Sequence, residues 1–227
     1  MKGAQTRQAI LDAAITRFGR DGYRATSVAD IARAAGVGGT VAYAYFPNKT
    51  ALFLAALDED AAAVIHEGLD TVIADAPLSD WRQTLILTLV QAVEHHPLAK
   101  RVLAGLEPDV TDRVLDIPAL SELRKACAER LRAEQLQGSV RADIDPVAVG
   151  NGVVTITLSL LMSVVQIGTG AAASYGADVA AVFEAALQPP RPPRPPRAPK
   201  APGPPPTTKQ ARPPAPRGGP RRRQPPR

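Results

Sequence analysis

Over the first 188 residues apolar positions recur at spacings of three and four and no run alternates with period two, a pattern that predicts helices throughout. Ile10, Ala13, Ala14 and Phe18 mark one face of a first helix, expected to end at Asp21-Gly22, where glycine can supply a left-handed cap. Ser27 then stands before Val28, Ile31, Ala32 and Ala35, which fit a short second helix with a serine N-cap and a closing Gly36. A third, very short helix should end at Tyr45-Phe46, because Pro47 cannot continue it. Asn48 is placed to cap a long fourth helix that carries Leu52, Ala56, Val64, Val72 and Ile73 up to Ala76-Pro77.

The same reading gives a fifth helix on Trp81, Leu85, Leu89, Ala92 and Val93, ending near His96-Pro97. Shorter or broken helices are expected over 98–106 and 112–137, the second interrupted by Pro118. Two more, over 146–169 and 175–187, complete an all-α body.

Composition changes the picture at Pro189. Of the last 39 residues 17 are Pro and 11 are Lys or Arg, with no aromatic or large aliphatic side chain, so this tail is expected to be disordered with polyproline II character. It is a solubilising extension, a nonspecific phosphate-binding arm, or, through RPPRPPR, a ligand for proline-recognition domains. Charge is segregated along the chain as well: residues 1–50 carry a net +4, residues 51–188 a net −10 and residues 189–227 a net +11. Contact with a polyanion therefore belongs to the two ends and not to the acidic middle. Cys127 is the one cysteine, which excludes an internal disulfide and a CxxC site, and the N-terminal residues lack the apolar stretch of a secretory signal. Both features point to a cytoplasmic protein.

Two short helices joined by Ala35-Gly36-Val37-Gly38 have the spacing of a helix-turn-helix, whose second helix enters the major groove. Thr26-Ser27, Ile31-Ala32, Ala35-Gly36-Val37, Tyr43, Tyr45-Phe46 and Lys49 followed by Leu52 resemble the DNA-binding signature of the TetR/AcrR family of bacterial transcription regulators. Gly22-Tyr23 upstream also fits. The resemblance implies a DNA-binding head over residues 1–50, a helical effector-binding and dimerisation domain over 51–188, and the tail over 189–227.

Within that frame Thr26 and Ser27 sit at a helix N-terminus able to meet a phosphate, and Gly36 serves a turn that needs positive φ. Ala42 and Phe46, four apart, should face inward and leave Thr40, Val41, Tyr43 and Ala44 toward the groove. Tyr43 offers a hydroxyl to a phosphate, Tyr45 joins it at the helix junction, and the resemblance implies a cationic phosphate contact from Lys49. Base readout then falls to Thr40, Val41, Ala44 and the backbone near Gly38 and Gly39. The chain departs from the family pattern here. Members commonly have a glycine and threonine where Thr40 and Val41 stand, a basic or polar residue at Gly39, and a larger aliphatic at Ala42. Two adjacent glycines weaken a helix start by roughly 1 kcal/mol each. Either operator affinity is modest, or specificity leans on apolar contact between Val41 or Ala44 and thymine methyls.

Residues 146–177 form 32 consecutive positions without a charge, which belong in a core or an interface between copies. A membrane span is the rival reading, but Asn151, Thr155, Thr157, Ser159, Ser163 and Gln166 dilute the run. The Gly168-Thr169-Gly170 stretch mimics a dinucleotide loop, yet lacks the following strand and ribose-binding acid. His95 and His96, adjacent at a helix end, read as dipole-compensating residues, and His66, Cys127 and Trp81 as packing or surface positions. No metal set, nucleophile–base pair or cofactor is expected. The combined expectation is a non-enzymatic homodimeric repressor that binds a palindromic DNA operator and is released by a small apolar or amphipathic effector, with no membrane partner. The alternative is a helical interaction protein with a degenerate head that acts through its basic tail.

Overall fold

The computed structural model describes residues 2–73, 81–110 and 116–189, and among these every regular element is helical. The proline-arginine tail expected to be disordered lies outside the described residues from 190 onward, as do the expected end of the fourth helix at Ala76-Pro77 and the start of the 112–137 segment.

In chain order the helices are α1 (Lys2–Ala25), α2 (Val28–Ala34), α3 (Gly39–Tyr45), α4 (Lys49–Ile73), α5 (Trp81–Val93), α6 (Pro97–Leu103), α7 (Pro118–Leu136), α8 (Pro146–Ile167) and α9 (Thr169–Leu187). The first three enclose a small core. Ile10, Leu11, Ala14 and Phe18 of α1 bury against Val28, Ile31 and Ala32 of α2 and Ala42 of α3. Phe53, one turn into α4, closes it, its ring edge-on to Phe18 at 5.0 Å and to Tyr23 at 5.1 Å. Such edge-to-face pairs add roughly 0.5–1.5 kcal/mol to the burial itself. The first turns of α4 therefore belong to the head's core, and its later turns, through Val64 and Val72, to the body's.

Three departures from the sequence pattern have simple causes. Gly22 does break α1, but at φ 82°, ψ 168°, an extended positive-φ conformation and not a left-handed helical cap, and helical turns resume to Ala25. Pro118 starts α7 instead of interrupting it, since the first helical turn has no use for the missing N–H. Finally α9 begins at Thr169, only one residue after α8 ends, because Gly168 at φ 101° turns the chain in a single step.

Helix α6 is the hub between head and body. Gly19 of α1 lies so close to Pro97 and Leu98 that a Cβ there would overlap their backbone. The buried carboxylate of Asp60 on α4 accepts the backbone N–H groups of Leu98 at 2.9 Å and Ala99 at 2.8 Å, capping α6, and pairs with His96 Nδ1 at 2.8 Å. His96 is thus an N-terminal partner of α6 and not the dipole-compensating C-terminal residue of α5 that its position suggests. At its other end, Arg101 Nε donates to Glu107 Oε1 at 2.7 Å, and the same oxygen accepts the backbone N–H of Tyr23 at 3.0 Å. The Gly22 kink makes room for this: a Cβ on Gly22 would collide with the Arg101 guanidinium and the Glu107 carboxylate. Gln166 of α8 donates to the Leu103 carbonyl at 2.8 Å.

In the body, Trp81 is buried and its Nε1 donates to Glu134 Oε1 at 2.6 Å, while Arg82 pairs with the other oxygen of that buried carboxylate. Helix α8 is long and apolar enough by composition to cross a bilayer. Here one face, Val153, Val154, Leu160, Leu161 and Val164, is buried, and Asn151, Thr155 and Ser159 line an exposed, uncharged stripe. Thr155, Ser159 and Ser163 each return their hydroxyl hydrogen to the carbonyl four residues back. On α9, Tyr175 and Val182 are exposed.

Cys127 is fully buried on α7, and burial pushes its thiol up to about 12 from 9.0. A thiol that is harder to ionise folded than unfolded contributes stability at neutral pH that is lost as pH rises from the unfolded value toward the folded one. Urea midpoints of wild type are expected to fall between about pH 9 and 12 more steeply than those of Cys127→Ala. Native Cys127 should also resist a thiol reagent at pH 8 that labels it in urea.

Candidate nucleic-acid interface

A short α2 needs help at both ends. Ser27 is extended at φ −111°, ψ 151°, and its Oγ accepts the Asp30 N–H at 3.1 Å while donating to Asp30 Oδ2 at 2.6 Å. This reciprocal pair satisfies a free helix donor. The Ser27 hydroxyl holds the Asp30 carboxyl below its usual range, with Arg33 adding to the effect from 3.0 Å. At the other end Gly36 takes φ 69°, and the Val37 N–H returns to the Ala32 carbonyl at 2.9 Å. These bonds fix the turn that aims α3.

Helix α3 then presents two sides. Ala42 and Phe46 are buried, while Thr40, Val41, Tyr43, Ala44 and Tyr45 are exposed, Tyr43 by 54% and Val41 by 41%. Thr40 and Ala44, one turn apart and opposite the Ala42–Phe46 side, point most directly away from the core. Gly38 is exposed and Gly39 half-buried. Neither has a positive φ, and no atom lies within 4 Å of where a Cβ would stand on either, so nothing inside the protein selects glycine there.

The remaining expected site residues fall into two groups. Lys49 stands at the start of α4 with its ammonium 4.4 Å from the Tyr23 ring centroid and 3.4 Å from the Arg24 carbonyl, on the same side of the head as Thr50, whose hydroxyl meets that of Tyr23 at 2.8 Å. Ser27 is exposed and engaged in its cap. Thr26 differs from expectation: it is buried, and its hydroxyl donates inward to the Gly22 carbonyl at 2.8 Å. A short side chain at the kink finds its nearest acceptor inside the bend, so Thr26 braces Gly22 and its hydroxyl does not face solvent.

Electrostatics of the head come down to which cations are neutralised. Arg17 and Arg20 pair with Asp21, and Arg33 with Asp30. Lys2, Arg7, Arg24 and Lys49 have no carboxylate partner among the described residues. Arg7, not singled out by its sequence position, lies with its guanidinium 5.4 Å from the Phe46 ring at the end of α3. It stands 39 residues away in sequence from that ring, a separation that local patterning does not bridge.

A second candidate site is an apolar void of about 40 Å³ in the body, lined by Leu57 and Val64 of α4, Val102 and Leu103 of α6, Leu120 of α7 and Leu161 of α8. Its walls are almost wholly apolar, and Ala99, Val102 and Leu103 of the hub helix α6 make one of them.

Residues 10–56 match the family model of bacterial regulatory proteins, tetR family. Over 63 residues the chain is 46% identical to the HTH-type transcriptional repressor ComR of Escherichia coli, a match spanning 27% of this chain and 30% of that protein. Among solved structures, a TetR-family transcriptional regulator from Pectobacterium atrosepticum superposes with a TM-score of 0.67 at 18% identity, covering 82% of this chain and 96% of the other. Thermus thermophilus FadR, a TetR-family repressor in complex with lauroyl-CoA, gives a TM-score of 0.54 at 20% identity over 78% and 92% of the two chains. At these identities the structural matches establish the fold alone, and the family-model match falls on residues 10–56.

The Ser27 cap is expected to be worth about 1 kcal/mol, so Ser27→Ala should lower the urea midpoint without changing the slope. Because the Asp30 carboxyl is held below its ordinary value, its share of that support is present above about pH 4 and vanishes as pH falls through the depressed folded value. Midpoints of wild type and variant measured from pH 7 down to pH 2 should therefore converge.

Proposed function

Because this chain belongs to the tetR family of bacterial transcription regulators, we propose that it is a cytoplasmic, non-enzymatic repressor that binds a palindromic operator as a homodimer and leaves it when a small apolar or amphipathic effector binds. The observation that carries the reading is α3 itself: a seven-residue helix with one side locked into the core by Ala42 and Phe46 and the other exposed, beside four cations without acidic partners among the described residues. Residues 1–50 act as the DNA-binding head, 51–188 as the effector-binding and dimerisation domain, and 189–227 as an accessory basic arm.

In this reading Tyr43, Tyr45 and Lys49 hold phosphates, Thr26 and Ser27 present the start of α2 through their backbone, and Thr40, Val41, Ala44 and the Gly38-Gly39 backbone face the bases. Two heads reach successive major-groove faces only if paired, about one helical turn or a multiple apart. The uncharged stripe of α8 and the exposed apolar residues of α9 support self-association there, since no charge has to be desolvated or opposed when two copies pair.

The void bounded by α4, α6, α7 and α8 supports the effector site. At about 40 Å³ it is far smaller than the roughly 300–1,000 Å³ of an ordinary ligand pocket, so an effector must part its walls to enter. Its apolar lining suits an acyl or aromatic group, the class that lauroyl-CoA represents for the Thermus protein. Parting the walls moves α6, and α6 is tied to α1 through Arg101, Glu107 and the Tyr23 N–H. A coupling of ~1–3 kcal/mol between void and head is enough for regulation.

Gel-shift titration against DNA flanking the gene tests the head. Tyr43→Ala combined with Lys49→Ala is expected to weaken operator binding at least roughly tenfold, since each charge-assisted phosphate bond is worth about 1.5 kcal/mol or more. Equal binding by both forms would remove the assignment. Deleting 189–227 should lower affinity for random duplex and flatten its dependence on salt, by about 0.9 in the log–log slope for each phosphate that the tail no longer neutralises, while leaving sequence preference in place. Loss of that preference would transfer recognition from the head to the tail.

A further inference from the structure

We propose that this protein recognises its operator through the 5-methyl groups of thymine, read by Thr40, Val41 and Ala44. The inference rests on the DNA-binding reading above and adds what the head reads. Major-groove discrimination of G is made by Arg or Lys, of A by Asn or Gln, and of C by Asp or Glu, each through its hydrogen-bonding end. Helix α3, GTVAYAY, carries none of those six residue types. What it does expose is a methyl-bearing surface. Thr40 and Ala44 are the outermost positions, and Val41 flanks them with 41% of its surface open.

The burial pattern removes the usual escape, which would be to rotate the helix. Ala42 and Phe46 are both nearly fully buried, and Phe46 is covered on its open side by the Arg7 guanidinium, so the outward side of α3 is fixed by the head's own core. Tyr43, to the other side of the outermost row, ends in a hydroxyl that suits a phosphate and cannot make a two-pronged base contact. The glycines point the same way from the opposite direction. Gly39 costs helix stability, has no conformational need to be glycine, and fills no close contact within the protein. A bare backbone before Thr40 allows the short side chains of this helix to reach the groove floor, which a Cβ would hold away. Short apolar side chains read a methyl only when the helix sits deep.

The test uses the full chain and synthetic duplexes. Sequences bound from a random-core duplex pool are selected first, and the best duplex is then remade with deoxyuridine in place of every thymine of the half-sites, which deletes only the 5-methyl groups. Binding is expected to fall roughly fourfold for each contacted methyl, the equivalent of one buried methylene, and so by more than tenfold over two half-sites. For the double variant Thr40→Ser with Val41→Ala, which removes protein methyls from exposed positions and keeps the hydroxyl, the thymine-to-deoxyuridine ratio should shrink toward one. A selected operator that binds equally well with deoxyuridine overturns this inference and leaves the DNA-binding reading intact. Failure to enrich any sequence overturns both, and an unchanged ratio in the variant assigns methyl readout to other residues and removes Thr40 and Val41 from it.

Discussion

A single buried carboxylate holds the two halves of the fold in register. Asp60 lies on the long helix α4 and is nearly inaccessible to water, and its oxygens accept the first N–H groups of α6 and pair with His96. An ionised group in that position without partners would be strongly destabilising, and with them it fixes where α6 begins and how it lies across α4. From that placement the rest follows. Pro97 and Leu98 come to rest against Gly19, Arg101 reaches Glu107, and Val102 and Leu103 form a wall of the apolar void. The head thereby touches the body at α6 as well as through the covalent run of α4.

This arrangement separates two kinds of rigidity. The head core is aromatic and tightly interlocked, with Phe18, Tyr23 and Phe53 in edge or stacked contact, and the orientation of α3 is built into it. The body is held by leucine, valine and alanine with a few buried polar bonds, chief among them the Trp81 N–H donated to Glu134 and the Arg82–Glu134 ion pair. Aliphatic packing of this kind can admit an inserted group by side-chain rearrangement, whereas the polar bonds at α6 have fixed geometry and transmit a displacement instead of absorbing it.

Legibility in the sequence follows contact range. Ser27 as a cap, Gly36 as the positive-φ turn, and the inward pair Ala42 and Phe46 are all decided within a few residues, and each stands where the pattern puts it. The Asp60–His96 pair joins residues 36 apart, Trp81–Glu134 joins residues 53 apart, and Glu107 meets Tyr23 across 84. No periodicity encodes such meetings, so in the sequence His96 reads as the end of α5 and Trp81 as plain packing. Thr26 departs from its pattern for a subtler reason. Its spacing fits an outward residue at a helix start, but the bend at Gly22 places a carbonyl beneath it, and the hydroxyl turns inward. The void is legible only as an expectation, since apolar helices that bury one another and those that bury a guest share one pattern.

The uneven placement of charge has a consequence for how the molecule travels. Lys2, Arg7, Arg24 and Lys49 leave the head positive, while the stretch from residue 51 to 188 carries a net −10. Residues 1–188, so divided, form an electric dipole on which the field of a duplex exerts a torque well before contact, and the net +11 of residues 189–227 adds a separate attraction. For that part of the chain, approaches with the acidic stretch foremost are disfavoured and those with the cationic head foremost are favoured, so fewer collisions are wasted. That advantage extends over about one Debye length, near 8 Å at physiological ionic strength, and fades as salt is added.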